Sequence, residues 1–167
     1  MTKISSSLNS IVIEAKSPDR RICGELSSWD QIEVWFDDED AYIQYERESL
    51  EHQVSALLKS LMTVRERARK EVLGQFEGWQ SDKTHWDARR RRYRTELDEI
   101  MAEGTSGSGR ITIYRVGLLD WMVAVKPNAL DNLDEDEFCS EVESALASLK
   151  RDYALKVYEM KKEHFGA

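Results

Sequence analysis

Between Glu48 and Glu103 the apolar residues fall at 50, 54, 57, 61, 68, 72, 76, 79, 86, 93, 97 and 100. The steps are threes and fours, or sums of them, so a single stripe follows a helix along the whole stretch. Arg65, Lys83 and Arg90 interrupt it. Gly74 and Gly78 sit at its midpoint, each costing about 1 kcal/mol relative to alanine in a helix. The stretch therefore reads as one very long helix, or as two helices meeting near Gly74–Gly78. Unbroken, it would run roughly 80 Å, too long for one compact domain of this size. Folded units must sit at both of its ends.

The N-terminal end supplies three short strands. Met1 to Asn9 is polar and serine-rich and reads as a frayed tail. Ile11 to Ala15, Arg21 to Leu26 and Gln31 to Phe36 alternate as strands, with Ile32, Val34 and Phe36 on one face. Ser17-Pro18-Asp19-Arg20 and Ser27-Ser28-Trp29-Asp30 are the turns between them. The long helix is expected to end at Gly104 as a left-handed cap, with Gly104 to Gly109 as a flexible link. Arg110 to Val116 and Leu119 to Val125 follow as strands. A closing helix, N-capped by Asp134, is expected to bury Phe138, Val142, Leu146, Leu149, Tyr153 and Val157.

The two ends match each other. A shift of 89 residues lays Ile32-x-Val34-x-Phe36 on Trp121-x-Val123-x-Val125, and a shift of 88 lays Leu50, Val54, Leu58 and Leu61 on Phe138, Val142, Leu146 and Leu149. The expected fold class is α+β: two small three-stranded antiparallel meanders joined by a very long helix or helix pair, with a closing C-terminal helix. The units divide at 1–73 and 74–167.

At these residues the chain resembles the YbaB/EbfC family of nucleoid-associated proteins. Residues 75–167 look like a family unit of leading helix, glycine-rich link, three-stranded sheet and closing helix. The cues are Gly104-Thr-Ser-Gly-Ser-Gly109, Gly117 at a hairpin turn, Val123-Ala-Val125-Lys126-Pro127, and Leu130 and Leu133 before the last helix. Residues 11–70 are similar to the sheet-plus-helix part of actinobacterial variants, through Val12, Glu14, Ala15 and Ser17-Pro18-Asp19. The chain departs from the pattern in three places. Its first unit lacks a leading helix, Arg20 stands where a turn glycine would be comfortable, and Lys126 replaces an acid. The resemblance implies a YbaB-like internal repeat, a covalent pseudo-dimer that binds DNA largely without sequence specificity, cytoplasmic and at the nucleoid. Because relatives in actinobacteria are encoded beside type VII secretion genes, it also admits a protein-interaction adaptor with no DNA binding.

Charge sets these two readings against each other. The net charge is −8, yet Arg65 to Arg94 holds ten Lys/Arg against five Asp/Glu. A basic helix with Trp79 and Trp86 nearby fits contact with a phosphate backbone; the bland alternative is a solvated helix face. Consecutive helical residues turn by about 100°, so the arginine run cannot face one surface. With Trp86, Tyr93, Leu97 and Ile100 as the buried stripe, Arg89 and Arg90 flank it, and Arg91, Arg92 and Arg94 point away as the better phosphate candidates.

No other chemistry is expected. Cys23 and Cys139 are far apart and read as small buried apolar residues; His52, His85 and His164 are scattered. Gly104 to Gly109 lacks the lysine and position of a phosphate loop. No nucleophile–base set is visible, so neither an enzyme, a metal site nor a cofactor is expected. Trp29, Trp35 and Trp121 are expected to pack in the sheets. No apolar run approaches a membrane span. A stripe some 50 residues long suggests a homo-oligomer that covers it.

Overall fold

The computed structural model describes residues 3–28, 30–75 and 88–166. In chain order these form α1 (Lys3–Asn9), β1 (Ile13–Lys16), β2 (Ile22–Ser27), β3 (Gln31–Phe36), a 3-10 turn (Tyr42–Gln44) and α2 (Arg47–Gly74). The second half follows as α3 (Ala88–Glu99), β4 (Met101–Thr105), β5 (Ile111–Val116), β6 (Asp120–Val125), α4 (Ala129–Asn132) and α5 (Glu135–Phe165). The strands make two three-stranded antiparallel sheets, ordered β1-β2-β3 and β4-β5-β6. The architecture is α+β, with long helices as expected.

Three expectations are corrected. Residues 3–9 are helical, so the first half has a short leading helix of its own. The long helical stretch ends at Glu99, and Met101–Thr105 is a strand whose Ala102 and Gly104 face inward. Gly104 is neither a helix cap nor part of a flexible link. A Cβ there would come within 2.2 Å of the Ala145 oxygen and Leu149 nitrogen, so the glycine is what lets β4 lie against the backbone of α5. Residues 106–109 are a tight turn, with Ser106 buried and its Oγ accepting from Ile111 N–H at 3.1 Å. α2 ends at Gly74, and residues 76–87, the rest of the stretch where one long helix or a helix junction near Gly74–Gly78 is expected, lie outside the described residues. Gly78, Trp79, Lys83 and Trp86 lie outside the described residues, as does Trp29.

The same bonds recur along the chain. Ser17 N–H donates to Ile22 O at 2.8 Å, and Ser106 N–H to Ile111 O at 2.8 Å, 89 residues on. Arg20 and Gly109 close those turns with φ of 65° and 78°, so the arginine occupies the left-handed conformation that glycine takes without cost. The strand registers keep the same offset: Ile13 pairs with Leu26 and Ala102 with Arg115. In the helices the offset is 88. Leu50 N–H bonds Glu46 O, and Phe138 N–H bonds Asp134 O, where Asp134 and Glu137 form the capping box.

One core joins both halves. α2 buries Leu50, Val54, Leu57, Leu58 and Leu61 against β1, β2 and also β6; α5 buries Phe138, Val142 and Leu149 against β4, β5 and also β3. This part of the expected stripe is covered within the chain. Backbone groups are satisfied across the halves too. Val125 N–H donates to Glu51 Oε2 at 2.7 Å, and Val123 N–H to Ser55 Oγ at 2.9 Å. Phe36, Tyr42 and Phe138 cluster in edge-on and tilted contacts where the halves meet, with Tyr42 Oη donating to Leu133 O at 2.8 Å. Tyr153 and Val157 are only half-buried, and Trp35 is 40% exposed rather than packed in its sheet.

The outer edge of β4 is capped by α5. Glu103 N–H donates to Asp152 Oδ2 at 2.9 Å, and Lys156 Nζ donates to Met101 O at 2.7 Å. The Glu103 bond, helped by Lys156 and opposed by desolvation, holds the Asp152 carboxyl below its ordinary value. A carboxyl lowered on folding adds stability above its unfolded pKa, and that contribution is lost as pH falls through the folded one. Asp152→Asn should therefore lower stability at neutral pH and flatten the acid limb of stability against pH, read in urea melts from about pH 7 down to about pH 2. Leu58 is 0% and Leu146 8% exposed, at equivalent places in the two halves. Leu58→Ala and Leu146→Ala should each cost about 2–5 kcal/mol, by similar amounts.

Candidate nucleic-acid interface and the cavity between the halves

α3 has the sequence ARRRRYRTELDE, and its few apolar residues decide how it sits. Tyr93 packs edge-on against His164 and Phe165 near the end of α5, with ring centroids 5.9 and 5.2 Å away. His164 Nε2 and Glu96 Oε2 are 2.6 Å apart. Ile100, at the end of the helix, is buried. α3 thus runs antiparallel to the last turns of α5, held on one side by Tyr93, Glu96 and Ile100.

Arg89, Arg91 and Arg92 are exposed. Among the described residues, no carboxylate bridges Arg91 or Arg92. Arg94 is half-buried, one step around the helix from Tyr93 and therefore on the margin of the contact side. The side chain of Arg90 lies outside the described residues. Lys161 and Lys162 are exposed on the adjoining end of α5, beside the acids Glu159 and Glu163.

A second feature is a cavity of about 710 Å3 between the halves. Its lining includes Arg65 from α2, Arg115 from β5, Trp121 from β6 and Tyr153 from α5. Arg115 is only 7% exposed. Its Nε donates to Gly117 O at 2.6 Å, and its guanidinium carbon lies 3.8 Å from the Tyr153 ring centroid and 5.1 Å from that of Trp121. This is cation–π packing in a largely desolvated site. Burial pulls both guanidinium groups down from their ordinary pKa. Lys150 and Asp30 pair at 2.7 Å on the cavity wall, and Arg69 and Glu66 at 3.7 Å. The Glu143 carboxyl, also on the wall, is raised by burial and then by the charge of Glu33. Cations and carboxylates are thus mixed around the cavity.

The buried arginine was not singled out from sequence, but a signal existed. Period-two alternation puts Arg115 on the same face as Ile111 and Ile113, both fully buried. Cys23 is buried and Cys139 half-buried, and burial raises both thiols, Cys139 to about 12. Among the described residues, no three His, Cys, Asp or Glu side chains are placed to hold a metal ion, and no helix is long and apolar enough to cross a membrane. No protein-family model, curated protein or solved structure matches the chain.

Tyr93 carries most of the ring contact that holds α3. Tyr93→Ala should speed amide hydrogen exchange across 88–99 by roughly tenfold or more, while leaving the β5 amides protected. Equal loss of protection in both places would show that α3 docking is inseparable from the global fold.

Proposed function

We propose that the chain is a YbaB/EbfC-like nucleoid-associated protein that contacts DNA through α3, largely without sequence specificity. The observation that carries this reading is the exposed pair Arg91 and Arg92, on a helix fixed by Tyr93 beside the Lys161–Lys162 end of α5. Guanidinium groups presented this way suit phosphate oxygens, and a helix docked on another holds them at a fixed spacing. The order of helix, three-stranded meander and helix, present in each half, is what the family resemblance implies and supports the same reading. On it, residues 1–73 and 74–167 are two YbaB-like units of an actinobacterial-type tandem variant, working in the cytoplasm at the nucleoid. Arg89 and Arg94 are secondary contacts, with Arg90 on the same run. No base-reading element is invoked, and no catalysis.

A second reading is favoured by one observation, the net charge of −8, which repels a polyanion away from the α3 end. It is a protein-interaction adaptor of the same fold, linked to type VII secretion, with no DNA binding.

Fluorescence anisotropy with duplex DNA separates the two. Arg91, Arg92 and Arg94 reversed together to Glu should abolish binding at little cost in stability. Changed to Gln, they should flatten log K against log salt by about 2.7, the loss of about three phosphate contacts. Absence of binding by the unmodified protein at about 50 mM salt, or equal binding by the reversed variant, would turn the assignment to the adaptor.

A further inference from the structure

The two halves treat their outer sheet edges differently. In the second, Asp152 and Lys156 on α5 cap the edge of β4 at Glu103 and Met101. The offsets of 89 in the strands and 88 in the helices make Glu14 and Val12 the counterparts of Glu103 and Met101, and Val64 and Ala68 those of Asp152 and Lys156. Neither Val64 nor Ala68 can donate or accept a bond through its side chain. Ser17 N–H bonds to Ile22 O, which sets the phase of β1: its odd residues face β2, and the backbone groups of Glu14 and Lys16 point outward. Among the described residues, nothing bonds the Glu14 backbone N–H. Val12, just before β1, is 60% exposed, and Val64, at the place equivalent to Asp152, is 39% exposed.

We propose that this edge pairs antiparallel with the same edge of a second copy of the chain, about a two-fold axis through Ala15. The strand is self-complementary in that register. Glu14 stands opposite the second copy's Lys16, and Lys16 opposite its Glu14, on the solvent face where both side chains are exposed. Outward-pointing residues meet outward-pointing residues, so the N–H and C=O groups of 14 and 16 exchange bonds in both directions. A one-residue slip would oppose an outward with an inward residue, and a two-residue slip centred on Glu14 would oppose like charges. Charged side chains ordinarily deter pairing at an edge; here their alternation selects a single register. The pairing is isologous and closed, so it stops at two copies. Val12 and Val64 from each copy flank the joint and lose exposed apolar surface. The competing Lys16–Asp37 pair, at 3.4 Å, is solvent-exposed on both sides and weak.

Light scattering with the full chain tests this, circular dichroism confirming that each variant is folded. The unmodified protein should show twice the 19.4 kDa chain mass at micromolar concentration. Glu14→Lys and Lys16→Glu should each weaken association by roughly tenfold or more. The double exchange E14K/K16E should restore it, and an equimolar mixture of the two single variants should form mixed dimers. Val64→Asp with Ala68→Lys, which transplants the caps of the second half, should give a monomer. A 19.4 kDa species at all concentrations to roughly 100 µM would overturn the proposal. So would a dimer indifferent to the charge exchange, or one that persists with the edge capped.

Discussion

A three-stranded sheet cannot cover its own apolar face, and each of its outer strands leaves backbone groups unpaired. In this chain each sheet is completed by the helix of the other half as well as its own. α2 lies on β1 and β2 and reaches β6, where Glu51 and Ser55 take the amides of Val125 and Val123. α5 lies on β4 and β5 and reaches β3. The exchange places Leu50 to Leu61 and Phe138 to Leu149 in one continuous core. It also fixes where the remaining features sit. The cavity is lined by residues of both helices, and α3 docks on the distal turns of α5.

Within this shared frame, the positions that match are those that build the turns and the helix starts. Ser17 and Ser106 bond alike, and Arg20 and Gly109 turn alike, although only one of that pair is a glycine. Asp19 N–H donates to Gln53 Oε1 at 3.0 Å, while Ser108 Oγ donates to Glu141 at the equivalent place, so each helix holds its own turn. The differences gather at edges and in the cavity. Leu26 in the first sheet corresponds to Arg115 in the second, and Arg65 on α2 to Tyr153 on α5. A guanidinium, its aromatic partner and a second guanidinium meet there because each half contributes a different residue at equivalent positions.

The alternating strands, the helix faces and the Asp134 cap were legible because each is a local rule: period two, period 3.6, or a side-chain oxygen placed before a helix. β4 was not. Met101 to Thr105 contains one large apolar residue, which is exposed, and its buried side presents only Ala102 and Gly104. A strand that packs by being small gives no hydrophobic signal, and its glycine reads as a helix stop until the backbone of α5 is seen 2.2 Å from where a Cβ would stand. α1 escaped for a related reason, since its serines favour turns as readily as helix. The crossing of the two helices between halves is a long-range choice that no window of sequence contains.

Burial also sorts the arginines, which sequence alone treats as one population. Arg65 and Arg115 line a cavity, and desolvation lowers the pKa of each; Arg115 is fixed by Gly117 O and by the Tyr153 ring. With Arg115 only 7% exposed and both groups turned to the cavity wall, these charges are withdrawn from the outer surface of the chain. Arg65 apart, the exposed described cations of the span between Arg65 and Arg94 fall in two groups, Arg67, Arg69 and Lys70 on α2 and Arg89, Arg91 and Arg92 on α3. There Tyr93 faces inward, and helical rotation carries Arg91 to the opposite side. The one aromatic residue of α3 therefore determines which arginine of the run meets solvent most directly.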